Sequence, residues 1–251
     1  MTEWTALPSD APQVDAIAGA RSGSERPRIV EMFGPPGAGK STLAKAAARK
    51  VDITRPQLTA AWRQLARIRK GAFILHALLD LPCLWHAARF AFAAHLATAE
   101  SLMRLARLVA KTQWMRSQSG ELLLDQSFLQ EIWSICAAAG RTDPYSPALS
   151  DFIRTLYAGT DAHIMFVDAP SLLASHRIRD RSHGFSRLDG LRAEDVEERL
   201  AGMARLPLAI VAAAAAAGLP VERLDAAAPV EANAQRLRYT LASRQNDERA
   251  R

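Results

Sequence analysis

A glycine-rich segment of eight residues constrains this chain more than any other feature. Residues 34–41 read GPPGAGKS and satisfy the pattern G-x-x-x-x-G-K-[ST]. A short apolar run, RIVEMF (28–33), precedes the segment, and a strongly helix-forming run, KSTLAKAAARK (40–50), follows it. In this order of strand, turn and helix, backbone N–H groups and the helix N-terminus can surround phosphate oxygens. The sequence therefore predicts a binding site for a nucleoside triphosphate with Mg²⁺.

The residues of this loop have distinct predicted roles. Lys40 is expected to reach the β- and γ-phosphates and to act in catalysis, and the Ser41 hydroxyl is expected to ligate Mg²⁺. A glycine- and proline-rich turn that matches by chance is the alternative, but the flanking strand and helix disfavour it. The predicted ATP-binding residues are Gly34, Pro35, Pro36, Gly37, Ala38, Gly39, Lys40, Ser41 and Thr42.

Short apolar runs alternate with helix-forming segments along the whole chain. The expected strands are residues 28–33, 51–53, 121–125, 162–168 and 220–224. Strands separated by helices pair in parallel and are covered by helices on both faces. The sequence therefore predicts an α/β fold of the P-loop NTPase type, with three layers and a parallel five-stranded sheet.

Composition excludes several other classes of protein. Of the 251 residues, 49% are hydrophobic, which is too many for a disordered chain. The two cysteines, Cys83 and Cys136, are too few for a disulfide framework and suit a reducing compartment, so a cytoplasmic location is expected. The most apolar stretch, residues 72–99, is interrupted by charged side chains and a proline, and residues 207–220 are too few to cross a bilayer. We therefore expect no membrane partner.

Three stretches, in order, resemble the nucleoside and nucleotide kinases, especially thymidylate kinase-like proteins. They are GPPGAGKST (34–42), LLLDQS (122–127) and HRIRDRSHGFSRLD (176–189). The resemblance implies an ATP- and Mg²⁺-dependent phosphotransferase that moves the γ-phosphate to a small molecule, a nucleoside, nucleotide or other anionic metabolite. It also implies a kinase-like domain at 27–251, with a helical acceptor-binding insert at about 55–120 and an arginine-rich lid at about 177–190. The acidic residues, early prolines and lack of an apolar run in residues 1–26 predict a flexible tail there.

The third stretch carries the arginines of the implied lid. Arg177 and Arg181 are spaced i and i+4, so one helix face presents both guanidinium groups. Such a pair can clamp the transferring phosphoryl group and neutralise the charge that develops on it. Arg187 is expected to join them at the nucleotide when the lid closes. A solvated basic helix end is the alternative.

The second stretch supplies an acid at the end of a strand. Asp125 is expected to hold Mg²⁺ or to take the proton from an attacking hydroxyl, and capping of the next helix is the alternative. Asp52, after the expected second strand, is the rival base. The family more often has Asp-Arg or Glu-Arg where this chain has Asp125-Gln126, and the missing positive charge disfavours a thymidylate acceptor.

The positive charge of the chain is concentrated in the insert. Between residues 55 and 120 there are ten basic and two acidic residues, a net charge of +8, whereas the whole chain has +6. One basic stripe consists of Arg104, Arg107 and Lys111, and a basic acceptor region suits an anionic acceptor. Solvated helix faces are the alternative.

Two other functions stay open at this stage. One is a kinase for a non-nucleotide alcohol such as a sugar, an antibiotic or a glycan precursor. The other is a non-catalytic ATP-binding module with a regulatory or nucleic-acid-binding role, although the confinement of the charge to one segment makes nucleic acid unattractive. A homodimer also stays open.

Overall fold

The sheet consists of parallel strands whose carboxyl ends share one edge. In this computed structural model the described residues are 26–48, 67–96, 98–118, 120–125, 127–180 and 191–249. They contain four strands in the order β2-β1-β3-β4, all parallel. The strands are β1 (Arg28–Phe33), β2 (Glu121–Leu124), β3 (Asp161–Asp168) and β4 (Val221–Asp225).

Ten helices lie in the described part of the chain, and most of them connect these strands. They are α1 (Lys40–Ala48), α2 (Arg67–Leu79), α3 (Leu81–Ala93), α4 (Ala99–Arg116), α5 (Phe128–Ala138), α6 (Pro147–Leu156), α7 (Ser171–Arg179), α8 (Ala193–Gly202), α9 (Arg205–Ala216) and α10 (Val230–Arg249).

The alternation of side chains along β1 divides the core into two apolar clusters. Ile29 and Phe33 belong to the cluster that includes α5, α6 and α9, whereas Val30 and Met32 belong to the cluster that includes α1 and α10. Both faces of the sheet are therefore covered by helices. This confirms the predicted α/β fold with a parallel sheet. Within the described residues the sheet has four of the five predicted strands; the expected strand 51–53 lies outside those residues, as does the expected tail apart from Arg26.

Helices α2, α3 and α4 fill the described part of the predicted insert. The helices α2 and α3 meet at Asp80 with a bend of 79°. The Asp80 carboxylate accepts a hydrogen bond from the backbone N–H of Cys83 and so caps α3. The inner face of α3 packs on α6, where the rings of Phe90 and Phe152 stack with their centroids 5.7 Å apart. The insert is thereby fixed to the helical layer that covers the sheet.

One helical stretch in the described residues has the length and apolarity to cross a membrane. It is Glu194–Ala216, and the bent pair α2–α3 passes the same criterion only when its two helices are counted together. In the first stretch, the α9 side chains of Leu206 and Ile210 are completely buried in the core cluster. This half of the stretch is therefore a core helix of the fold.

Candidate functional site

The glycine-rich loop leaves the carboxyl end of β1 and leads into α1. Gly37 has φ +82°, a left-handed conformation that favours glycine. A Cβ atom at Gly37 would lie 2.3 Å from the carbonyl oxygen of Ala174, and one at Gly34 would lie 2.2 Å from that of Val167. Backbone therefore packs directly on backbone at two points of the loop, which fixes its shape.

Lys40 is the first residue of α1 and is almost completely buried. Its Nζ donates hydrogen bonds to the carbonyl oxygens of Gly34, at 2.7 Å, and Pro35, at 2.9 Å. The ammonium group thus lies against the loop, as its predicted role requires. Ser41 follows in the first turn of α1 and is partly buried, whereas Thr42 is exposed.

Arg177 in α7 connects the glycine-rich loop of residues 34–41, called the phosphate loop below, to the loop that follows β4. Its Nη1 donates to the carbonyl oxygen of Ala38, at 3.2 Å, and its Nη2 donates to that of Ala226, at 3.0 Å. The guanidinium group is therefore already at the predicted nucleotide site. Arg181 and Arg187, which were predicted to act with it, and Asp52, the rival base, lie outside the described residues.

Asp125 lies directly after β2 and is buried. Leu124 pairs with Glu31 of β1, so Asp125 continues β2 at the level where β1 approaches the phosphate loop. Acid and loop therefore share the carboxyl edge of the sheet, where open α/β folds bind ligands. The roles of Asp125 as base and metal ligand stay predictions.

The donor set of the loop suits Mg²⁺ that is bound together with a nucleotide. Among the described residues, no group of three or more His, Cys, Asp or Glu side chains could hold a metal ion alone. Mg²⁺ commonly takes one or two protein oxygens and completes its shell with phosphate oxygens and water. The Ser41 hydroxyl and the Asp125 carboxylate are oxygen donors of the required kind, so the residues fit the ion.

Sequence reasoning missed a buried carboxylate on the central strand. Glu31 is completely buried, and it accepts hydrogen bonds from the backbone N–H of Leu129, at 2.9 Å, and from the hydroxyl of Tyr157. Burial raises the pKa of Glu31 to about 7, although its hydrogen bonds favour the ionised form. Burial and the neighbouring Glu31 also raise the pKa of Tyr157 well above its usual value. Glu31 thus ties β1 to the first turn of α5, directly after the Asp125 segment.

A cleft of about 190 Å³ lies beside the phosphate loop. Pro35 of the loop forms one wall, and Trp133 of α5 forms another. The remaining lining is mostly apolar and comprises Asp168, Ala169, Pro170, Ser171, Ala174, Leu200, Met203, Ala204, Pro207 and Leu208. The charged member, Asp168, accepts a hydrogen bond from Nε of Arg223 at 3.0 Å.

The basic stripe of α4 is used within the fold. Lys111 is buried, and its Nζ forms an ion pair with Glu131 of α5 at 2.6 Å. The Nη2 of Arg104 donates to the hydroxyl of Ser134 at 2.8 Å. Arg107 is exposed and contacts the sulfur of Met103 in its own helix. Two of the three cations thus attach α4 to α5, which corrects the expectation that the stripe faces an anionic acceptor.

Comparisons with known proteins found similar solved structures, among them kinases, at low sequence identity. No protein-family model and no curated protein matches the sequence. Deoxyadenosine kinase from M. mycoides, with the products dCMP and a flexible dCDP bound, aligns over 86% of this chain and 98% of its own, with 15% identity and a TM-score of 0.47. The same kinase with bound dATP aligns over 85% and 98%, with 14% identity and a TM-score of 0.46. YorR protein from Bacillus subtilis, in complex with phosphorylated GDP, aligns over 87% and 98%, with 12% identity and a TM-score of 0.44.

Proposed function

We propose that the protein is an ATP- and Mg²⁺-dependent phosphotransferase that moves the γ-phosphate of ATP to a small-molecule acceptor. The observation that carries the proposal is the geometry of loop 34–41. Its buried lysine, its left-handed glycine and the N-terminus of α1 meet at the carboxyl edge of a parallel sheet. Such a site favours a chain of phosphate groups because backbone N–H groups and one ammonium group can face the anion together.

The donor nucleotide is held by residues 34–42 in this proposal. Lys40 Nζ exchanges its two carbonyl acceptors for phosphate oxygens, which form stronger hydrogen bonds because they are charged. The loop of residues 225–229 follows β4, and a loop after the last strand packs on the adenine ring in the nucleoside and nucleotide kinases that the chain resembles. We therefore expect this loop to contact the base of the nucleotide. Arg177 supports both parts of this site because it donates to Ala38 and to Ala226.

Transfer of the phosphoryl group needs positive charge that is already in place. Negative charge is spread over the oxygens of the transferring group, so fixed cations lower the barrier. Lys40 and Arg177 are such cations, and Arg181 and Arg187 add to them from the lid. Ser41 and Asp125 would hold Mg²⁺, which neutralises charge between neighbouring phosphates when it is bound.

An acceptor hydroxyl is activated by a carboxylate at the same edge of the sheet. Asp125 is the first candidate for this base, because it is buried beside the strand that carries the phosphate loop. Asp52 is the second candidate. A nucleoside or nucleotide is the acceptor that the resemblance implies.

A second candidate function is a kinase for a non-nucleotide alcohol. The observation that favours it is the lining of the cleft beside Pro35, which is mostly apolar and whose charged member is the anion Asp168. The Asp168 carboxylate would repel the phosphate group of a phosphorylated acceptor, whereas it would not repel an uncharged alcohol. Absence of the family's arginine after Asp125 points the same way.

The test is transfer of label from ATP to a pool of nucleosides, nucleotides, sugars and other alcohols. We expect one labelled product with the wild-type protein and at least about 100-fold less with Lys40→Ala, since this change removes the charged donor at the phosphates. Lys45→Ala is the matched control, because Lys45 is an exposed lysine in the same helix. Asp125→Asn should bind ATP in the absence of Mg²⁺ as the wild type does, and it should lose transfer.

Two results would decide against the proposal. If no acceptor is labelled and Lys40→Ala binds ATP as well as the wild type, the loop is not a nucleotide site. If ATP binds through Lys40 but no acceptor is labelled, the protein is an ATP-binding module without transferase activity. The identity of the labelled acceptor separates the two kinase functions.

A further inference from the structure

One residue of β1 holds the chain on both sides of Asp125. In the sheet, Glu31 pairs with Leu124, which is the residue directly before Asp125. The side chain of Glu31 also accepts a hydrogen bond from the backbone N–H of Leu129, in the first turn of α5, over a distance of 2.9 Å. Asp125 therefore lies between two points at which the chain is attached to Glu31.

The start of α5 uses this contact because its own N-cap side chain does not cap it. Ser127 occupies the N-cap position, and its side chain forms no capping hydrogen bond. Leu129 is the second residue of the helix, so its N–H group has no acceptor within the helix. The carboxylate of Glu31 supplies that acceptor, and negative charge is also favourable at the N-terminus of a helix. Glu31 therefore stabilises the start of α5, shortly after Asp125.

A second donor fixes the orientation of this carboxylate. Tyr157, directly after α6, donates its hydroxyl hydrogen to the other oxygen of Glu31. The ring of Tyr157 also packs edge-on against Phe128, with the ring centroids 5.7 Å apart. Glu31 and Tyr157 are both buried, and a carboxylate that is bound by neutral donors is costly to bury. Such local costs are typical of functional sites, since an apolar side chain would suit the core better.

We propose that Glu31 is a positioning residue that holds Asp125 where phosphoryl transfer requires it. The rate of transfer depends on the placement of the reacting groups, and a displacement of about 1 Å can lower it by about 100-fold. In this role the side chain of Glu31 contacts neither the nucleotide nor the acceptor and acts through the segment that it holds. The inference rests on the proposed phosphotransferase function and on the role of Asp125 in it.

Two substitutions of Glu31 separate the reach of the side chain from its charge. Glu31→Gln keeps the length of the side chain and an oxygen that can accept from Leu129, whereas Glu31→Asp keeps the carboxylate but is one methylene shorter. The rate of label transfer from ATP to the acceptor pool, measured against ATP concentration, gives kcat and the KM for ATP. We expect Glu31→Gln to retain kcat within about threefold and Glu31→Asp to lower it by about tenfold or more, with the KM for ATP unchanged in both.

A change in the core distinguishes positioning from a general loss of stability. Leu241→Ala creates a cavity at a completely buried side chain of α10, so it should lower the free energy of unfolding and retain kcat. Hydrogen exchange without nucleotide should rise at the amide of Leu129 in Glu31→Asp and stay slow there in Leu241→Ala. If Glu31→Asp does not fold, Tyr157→Phe serves as the second variant and should lower kcat by about threefold or more.

Failure of this inference differs from failure of the proposed function. If the wild type transfers label and the folded variant, Glu31→Asp or Tyr157→Phe, has the same kcat, Glu31 does not position Asp125 and the phosphotransferase function stands. A lower kcat in Glu31→Gln than in Glu31→Asp, or an equal loss in Leu241→Ala, also overturns the inference alone. If the wild type transfers no label to any acceptor, the proposed function fails and the inference fails with it.

Discussion

At Gly37 the phosphate loop depends on both a backbone conformation and a close approach. The residue has φ +82°, and a Cβ atom there would lie 2.3 Å from the carbonyl oxygen of Ala174. We therefore expect Gly37→Ala to displace the loop and to weaken ATP binding by at least about tenfold, since both strain and a clash must be relieved. Isothermal titration of ATP into the variant measures the loss.

Gly218 separates the effect of backbone strain from the effect of a close contact. It has φ +88°, but no atom lies within 4 Å of the position of its Cβ. Gly218→Ala should therefore lower the free energy of unfolding by about 1 kcal/mol through backbone strain and leave ATP binding unchanged. Equal loss of ATP affinity in the two variants would contradict the role given to the Gly37 contact.

Glu31 gives the protein a predictable dependence of stability on pH. Its pKa is raised from 4.5 to about 7, so the folded state holds a proton that the unfolded state releases. The stabilisation by this group is complete below about pH 4.5 and is lost as pH rises through about 7. Glu31→Gln has no carboxyl group to titrate in this range. Its free energy of unfolding, relative to that of the wild type, should therefore rise by up to about 3 kcal/mol between pH 5 and pH 8.

Denaturant unfolding of both proteins across this pH range measures the difference. Glu100→Gln is the control for the substitution itself, because Glu100 is an exposed carboxylate in α4. A constant difference between wild type and Glu31→Gln at all pH values would show that Glu31 does not bind a proton in this range.

Lys40 and Glu31 show what can and what cannot be predicted from the sequence at single residues. The position of Lys40 against the loop could be predicted because it follows from a local pattern of eight residues. That of Glu31 could not, because its partners Leu129 and Tyr157 are about 100 residues away or more and become neighbours only in the fold. A charged residue inside an apolar strand was the available hint.

At the scale of elements, Arg177 couples α7 to two loops of the proposed nucleotide site. It donates to Ala38 in the phosphate loop and to Ala226 after β4. Arg177→Ala should therefore weaken ATP binding by about tenfold or more and increase hydrogen exchange in both loops. Arg179→Ala is the control in the same helix, because Arg179 is exposed and contacts His176 of α7. Similar ATP affinity in the two variants would show that the bridge is not needed for the nucleotide.

The elements themselves could be predicted better than their mutual contacts. The pattern of apolar runs located β1, β2, β3 and β4 to within a residue or two, because buried parallel strands are short and continuous in sequence. The stripe of Arg104, Arg107 and Lys111 was also recognised, but not that two of its cations bind α5. Spacing places residues on one face of a helix and does not determine what that face contacts.

At the scale of the whole molecule, one carboxylate connects the helices of the insert to the core. Asp80 caps α3, accepts from Gln113 Nε2 at 2.6 Å and pairs with Arg116 Nη1 at 2.7 Å. Arg116 in turn donates to the backbone carbonyl of Thr155 at the end of α6. Burial acts to raise the pKa of Asp80, but the hydrogen bonds from Arg116, Cys83 and Gln113 and the charge of Arg116 together outweigh it, and the pKa lies below its usual value. The ion pair therefore persists until the solution is strongly acidic.

Removal of this carboxylate should loosen the insert without changing the nucleotide site. Asp80→Ala deletes a helix cap and leaves Arg116 without its anion, so we expect the free energy of unfolding to fall by about 2 kcal/mol. Hydrogen exchange should rise in α2 and α3 and stay slow in the sheet, and ATP affinity should not change. Asp151→Ala removes an acid from exposed ion pairs with Arg89 and Arg154, and it should cost less than about 1 kcal/mol. If Asp80→Ala lowers ATP affinity as well, the insert and the phosphate loop form one cooperative unit.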